Sequence, residues 1–335
     1  MMQRRFGRTG WTVGGIGFGA WAIGGSWGEV SEADARAALH AALDEGADFI
    51  DTADVYGDGR SERLIRRVLA ERGVLDAEPG EGRPVVATKL GRRLDPHRAE
   101  GYTAEAMASF VDRSRANLGM DRLDLVQLHC PPTAVYYMPE VFEALESMAE
   151  RGVIRHYGVS VEKVEEGLKA IEFPSVASVQ IIWNMFRQRP ADLFLPRARE
   201  KGVAMIARVP LASGLLAGRI TAQTRFADDD HRRFNRHGEA FDVGETFAGV
   251  PFEVALAAVE EVRSVLPADW PMAQVALRWC LMNDAVTVVI PGARNADQAR
   301  ANTRAGALPP LSPETMSAVA EIYRRRIAPH VHQRW

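Results

Sequence analysis

Only two cysteines, Cys130 and Cys280, occur among 335 residues. That is too few for a disulfide framework, and the spacing is not that of a zinc site. It predicts two buried or partly buried thiols in a reducing cytoplasm. No apolar run approaches the ~20 residues needed to cross a bilayer. The first residues, Met1-Met2-Gln3-Arg4-Arg5, pass straight into turn-rich sequence without an apolar core, so no targeting segment is expected. Neither sign of charge dominates: 41 basic residues against 44 acidic ones leave a net charge of −3. That balance argues against a nucleic-acid or membrane-surface partner. Internal repeats and low-complexity segments are also missing.

What is present is apolar sequence, 47% of the chain and ample for a large core. It is arranged as alternating strand and helix patterns. A short hairpin is expected around Arg4-Arg5-Phe6 and Trp11-Thr12-Val13, with Gly7-Arg8-Thr9-Gly10 as its turn. Eight strands follow, at 15–20, 49–54, 85–90, 124–129, 156–160, 178–183, 204–209 and 286–290. Helical patterns lie between them at 32–45, 61–72, 104–118, 140–151, 163–171 and 191–201. Ser31 reads as an N-cap, and Gly46, Gly73, Gly119, Gly152 and Gly202 as helix stops.

The strands are continuous apolar runs, as expected when both faces are buried. Eight of them joined by helical crossovers predict an α/β chain closed as a (β/α)8 TIM barrel, one domain over residues 1–335. Further helices are expected at 252–265 and 272–282, and an extra C-terminal helix at 313–326. The stretch 219–249 is too long and polar for an ordinary connection, which marks a functional or a disordered loop.

Active sites of such barrels sit at the C-terminal ends of the strands. Three strands end there in an ionisable side chain: Asp51, Lys89 and His129. Tyr56 lies in the loop after the second strand. Each residue alone has an ordinary explanation as a cap, a solvated charge or a core histidine. Together they form an acid–base set. A free tyrosine titrates near ~10. A lysine ammonium in reach favours the phenolate, and an aspartate holds the ammonium in place. A nearby histidine can orient a substrate oxygen. The set suits protonation of a carbonyl oxygen as hydride reaches its carbon.

At these positions the chain resembles the aldo-keto reductase family. The likeness runs from Gly17-Phe18-Gly19-Ala20-Trp21 through Asp51…Tyr56-Gly57, Lys89, His129, Gly158-Val159-Ser160, Val179-Gln180 and Pro210-Leu211 to Ile290-Pro291-Gly292-Ala293. The resemblance implies reduction of small carbonyl substrates by NADPH, with NADH as an alternative cofactor. Tyr56 would be the general acid, Lys89 and Asp51 would tune it, and His129 would orient the carbonyl. Gly19, Ala20, Trp21 and Asp51 would lie beside the nicotinamide. Trp21 and Trp27 would wall the substrate pocket with Tyr56 and His129, and Trp335 would border it.

The resemblance also implies that Ser160 and Gln180 bind the carboxamide. The family's usual asparagine after that serine is Val161 here, and Arg208 replaces an aromatic residue that stacks on the ring. Pro210, Leu211, Ser213, Gly214 and Leu215 would line the pyrophosphate, with Arg219 near phosphate. Gly292, Arg294, Gln298 and Asn302 would form the adenosine-phosphate site, where Arg294 can pair with a 2′-phosphate. Ala301 replaces a frequent acidic residue.

Two other signals are set aside. Gly15-Ile16-Gly17-Phe18-Gly19-Ala20 fits the G-x-G-x-x-G/A dinucleotide pattern, but residues 21–28 read as loop where that fingerprint needs a helix. Asp228-Asp229-Asp230-His231 and His237 have irregular spacing among arginines and suit a solvated lid better than a metal site. The rival reading is a nucleotide-sensing regulatory subunit, like the potassium-channel β subunits that share fold and tetrad. Oligomeric state leaves no mark in the sequence.

Overall fold

The computed structural model describes residues 2–25 and 27–335; Met1 and Ser26 lie outside the described residues. The hairpin forms as expected from β1 (Gln3–Arg5) and β2 (Thr12–Gly14), paired antiparallel. The barrel strands are β3 (Phe18–Gly19), β4 (Phe49–Asp51), β5 (Val85–Leu90), β6 (Leu123–His129), β7 (Ile154–Ser160), β8 (Val176–Ile182), β9 (Ala204–Arg208) and β10 (Val286–Val289). They are parallel in sequential order from β3 to β10. Parallel bridges Ile16↔Val289 and Gly19↔Gly292 join the first strand to the last and close the barrel.

Helices cross over between consecutive strands. Helix Glu32–Asp44 is capped by Ser31, whose side chain accepts from Asp34 N at 3.0 Å. Helix Ala104–Leu118 is capped by Thr103 and stopped by left-handed Gly119. Both ends satisfy backbone groups that a helix leaves open.

The lumen holds Phe49, Val85, Ala87, Leu125, Ala204, Ile206, Val288 and Ile290, all buried. Phe6 of the hairpin stacks on Phe49 at 5.2 Å and plugs the N-terminal end. Each such large apolar side chain contributes about 1.5–3 kcal/mol of burial. A second, larger shell of buried side chains joins the strands to the helices. The lower end is thus solid, and the polar residues collect at the upper one.

Two local expectations change. The first strand is two residues long, although bridging extends back to Ile16. Trp21–Gly24 is a helical turn where loop was expected. Gly25 at φ 138° ends it after four residues, so the long helix of a dinucleotide-binding βαβ unit does not form there. The C-terminal helix Pro313–Ile322 continues as a wider π turn over Tyr323–Ile327 and a last turn at Ala328–Val331. Among the described residues no helix is long and apolar enough to cross a membrane.

Candidate active site

Register brings the functional strand ends level. Lys89 pairs with Gln127, His129 with Ser160, and Ser160 with Gln180. The Lys89 ammonium donates to Asp51 Oδ1 at 2.5 Å, to the Thr52 carbonyl at 2.9 Å and to the Tyr56 hydroxyl at 3.2 Å. Its three donors are therefore all used. Asp51 Oδ2 accepts from Gln127 Nε2 at 3.1 Å and from Gln180 Nε2 at 2.7 Å. The carboxylate is fixed on both sides and in turn fixes the ammonium.

Tyr56 reaches Lys89 from a tight turn with Gly57, Asp58 and Gly59 at positive φ. The turn packs against Gly24, where an added Cβ would stand 2.7 Å from the Tyr56 Cβ. His129 sits edge-on to the Tyr56 ring at 5.8 Å.

Burial pushes the Tyr56 pKa above its ordinary value, against the downward pull of Lys89. The expected lowering by Lys89 is there, but desolvation outweighs it. Burial also opposes the Lys89 ammonium, yet Asp51 and then Tyr56 outweigh it and its pKa is raised. His129 is held well below the usual imidazole range by burial, then by the charges of Arg92 and Lys89. It is neutral at pH 7, so one ring nitrogen carries a hydrogen to donate. A buried phenol beside a fixed ammonium and a neutral imidazole can protonate an oxygen and stabilise the phenolate left behind.

Trp21 stacks beside Tyr56 at 6.1 Å with a 19° angle, and Trp27 meets Trp21 edge-on at 5.4 Å. The 219–249 segment covers this end: His231 packs between Trp21 and Trp27, and Phe241 joins them. Asp230 caps the short helix His231–Phe234 and pairs with Arg232, while His237 is exposed. These acidic and histidine residues are therefore not gathered around one point.

The other expected positions form a second group along β7 to β10 and at the end of β3. Ala20 N donates to the Asp51 carbonyl at 2.8 Å, and an added Cβ on Gly19 would meet the Ile290 carbonyl at 2.6 Å. Ser160 Oγ lies 3.4 Å from Cys130 Sγ. Gln180 Nε2 also donates to Gln127 Oε1 at 3.2 Å, so its amide nitrogen is committed within the protein. Arg208 is buried, donates to the Val161 carbonyl at 3.0 Å and lies 3.5 Å from Glu245.

After β9, Val209, Ala212, Ser213 and Gly214 all take positive φ around buried Pro210 and Leu215. A β-branched residue is seldom found there. Such left-handed turns can present backbone N–H groups to an anion. Ser213 itself ties this loop to the lid, donating to the Glu245 carbonyl at 3.0 Å and accepting from Phe247 N at 3.1 Å. Leu211 is half-buried and Arg219 is exposed. Beyond β10, Asn302 donates to the Gly292 carbonyl at 3.1 Å, and Arg294 N donates to Gln298 Oε1 at 2.9 Å. The Arg294 guanidinium is at the surface and reaches the Glu29 carbonyl at 3.1 Å. It stands at the N-terminus of helix Ala296–Arg304, where the backbone favours an anion.

Four participants were not anticipated. Gln127 completes the shell of Asp51; its signal was a single polar residue in the run Leu125-Val126-Gln127-Leu128. Arg92, Glu162 and Glu245 form a charged wall, with Arg92 2.9 Å from Glu245 and 3.3 Å from Glu162. Arg92 and Glu162, with Cys130, His97, Phe241 and Asp242, border a cavity of about 390 Å³ at the same rim. No sequence spacing links them. Cys130, Glu162 and Glu245 also come within 4.8 Å of one another as metal ligands would. The cations they face are the guanidiniums of Arg92 and Arg208.

The model of the Aldo/keto reductase family matches residues 15–324. The chain is 28% identical over 288 residues to the aldo-keto reductase YhdN of Bacillus subtilis, covering 85% of this chain and 83% of that one. It is 26% identical over 339 residues to a probable voltage-gated potassium channel subunit beta of Oryza sativa subsp. japonica, at 97% and 98% coverage. The structure of a glycerol dehydrogenase from Gluconobacter oxydans is similar with a TM-score of 0.76 and 28% identity, over 98% of this chain and 96% of that one.

Proposed function

The chain belongs to the aldo/keto reductase family, and on that footing we propose that it is an NADPH-dependent oxidoreductase reducing aldehydes or ketones to alcohols. The observation that carries this reading is the chain Asp51–Lys89–Tyr56, linked at 2.5 and 3.2 Å beside a neutral His129. When bound, the dinucleotide supplies hydride to the carbonyl carbon. The Tyr56 hydroxyl gives its proton to the carbonyl oxygen, and Lys89 stabilises the phenolate that remains. Asp51, braced by Gln127 and Gln180, keeps Lys89 aimed at Tyr56. His129 donates its ring N–H to the same oxygen and orients the substrate.

The left-handed run 209–214, exposed Arg219 and Arg294 at a helix N-terminus suit a dinucleotide's phosphates. A cation at Arg294 favours the 2′-phosphate of NADPH over NADH. At the nicotinamide end, Gln180 keeps its carbonyl oxygen as an acceptor, and Trp21 offers a flat face. The charged wall of Arg92, Glu162 and Asp242 favours a small, hydroxylated carbonyl compound over an apolar one. The glycerol dehydrogenase neighbour supports that choice. We read residues 1–335 as one catalytic unit acting in the cytoplasm.

The similarity to a probable channel β subunit favours a second reading, nucleotide sensing without significant turnover. Turnover separates the two. Purified protein should oxidise NADPH with glyceraldehyde faster than with propanal, as followed by nicotinamide absorbance. Tyr56→Phe should lower the rate by about 10²-fold or more, with dinucleotide binding retained. Wild-type rates in that variant would remove the mechanism, and a tight complex without turnover of any carbonyl would favour the sensor.

A further inference from the structure

Trp335 does not join Trp21 and Trp27 at the substrate side. Its indole is 3% exposed and lies against the lid turn Val243–Gly249. An added Cβ on Gly244 would stand 2.9 Å from Trp335 Cε2, and one on Gly249 would stand 2.5 Å from Cη2. The ring leaves no room for a Cβ at either position, and at Gly244 Arg187 Nη1 and Asp242 Oδ1 stand closer still, at 2.7 Å. The Arg187 guanidinium stacks 4.2 Å from the ring centroid and donates to the Ala248 carbonyl at 3.4 Å.

Between the two glycines in the chain stands Glu245. Its carboxylate meets Arg92 at 2.9 Å and Arg208 at 3.5 Å. Phe247 and Ala248 hold φ of 51° and 58°, a conformation that persists only where surrounding contacts over-determine it. Here those contacts are the indole at Gly244 and Gly249, the two guanidiniums at Glu245 and Ser213 at Glu245 and Phe247. Arg92 and Arg208 are also among the charges that keep His129 neutral. The turn thus connects the indole to the reacting end of the site without the indole touching it.

We infer that Trp335 is a positioning residue: seated on Gly244 and Gly249, it holds Glu245 between Arg92 and Arg208 and keeps the 219–249 segment closed, which sets how long a bound dinucleotide stays. The inference rests on the dinucleotide binding proposed above. Without the ring, the turn relaxes, Glu245 leaves the guanidiniums, and the lid opens more often.

The test is a cycle of Trp335→Ala, Glu245→Gln and the double variant, with Trp335→Phe as the conservative replacement. NADPH release is followed by stopped-flow fluorescence on the full chain, and proteolysis of 219–249 is followed without nucleotide. Trp335→Ala and Glu245→Gln should each speed release about tenfold or more, the loss expected when hydrogen bonds between charged groups go. Association should change by less than about threefold, because affinity changes fall mainly on dissociation. The double variant should release little faster than either single one, since both act through one turn. Trp335→Phe should restore most of the wild-type rate, and Trp335→Ala should be cleaved faster in the lid.

Additive effects, or unchanged release and cleavage in Trp335→Ala, would overturn the inference while leaving the reductase reading intact. Should Trp335→Ala fail to fold, Trp335→Leu, which keeps apolar bulk but removes the ring, takes its place in the cycle with Glu245→Gln, and an additive result there overturns it equally. Failure of wild type to bind NADPH in titration would instead remove the reductase reading and this inference with it.

Discussion

At the scale of single residues, the tetrad is built so that each member fixes the next. Lys89 has no unused donor and Asp51 accepts on both oxygens, so neither can turn away without leaving a buried charge unpaired. Tyr56 sits at the end of that chain under two opposed influences, burial raising its pKa and the ammonium lowering it. Lys89→Met removes only the second. The tyrosine pKa then rises further, so the basic limb of the pH–rate profile should move to higher pH while the rate falls by about 10²-fold or more. A pH–kcat/KM series on the variant checks this, and an unmoved limb would mean that another group sets the tyrosine. Asp51, Tyr56, Lys89 and His129 were legible in the sequence because each ends or follows an apolar strand. Arg92 and Glu245 were not. They are 153 residues apart and meet only because the lid folds back over the rim.

At the scale of elements, the strands announce themselves by unbroken apolar runs, and the long helices by their caps. Helix Ala104–Leu118 and helix Phe252–Val265 fall where periodicity places them. The short pieces do not: Trp21–Gly24 is set by packing against the Tyr56 turn, and the lid's small turns are set by Arg92 beyond β5, Arg208 of β9 and Trp335. Local sequence cannot encode contacts of that range. One element carries a prediction about the cofactor. Helix Ala296–Arg304 starts at Asn295, with Arg294 exposed just before it. NADH lacks the 2′-phosphate that this cation would meet. Arg294→Ala should therefore weaken NADPH by about ten- to a hundredfold and leave NADH almost unchanged. Fluorescence titrations of wild type and variant decide it, and equal losses for both dinucleotides would show that Arg294 does not discriminate.

At the scale of the whole molecule, the site has a cost that a pH titration of stability can read. Asp54 is fully buried behind the Tyr56 turn. Burial, then the charge of Glu62, pushes its carboxyl from 3.8 up to about 7. A raised carboxyl favours folding while it stays protonated. Its contribution is fully present below the unfolded pKa near 3.8, and it is lost as pH rises through about 7. At 1.36 kcal/mol per unit of pKa, the loss approaches about 4 kcal/mol above neutrality. Asn has nearly the same shape and cannot ionise. Asp54→Asn should therefore match wild type near pH 4 apart from a constant offset, and gain on it steadily between pH 4 and 8. The gain should amount to several degrees in thermal midpoint. Glu162, raised to about 7 by burial and by Asp242 and Glu245, adds a smaller slope of the same sign because it is partly exposed. That slope is common to both proteins and cancels in the difference. Melting curves of wild type and variant across this range are the check, and a midpoint difference that stays constant with pH would show that Asp54 ionises freely in the folded molecule.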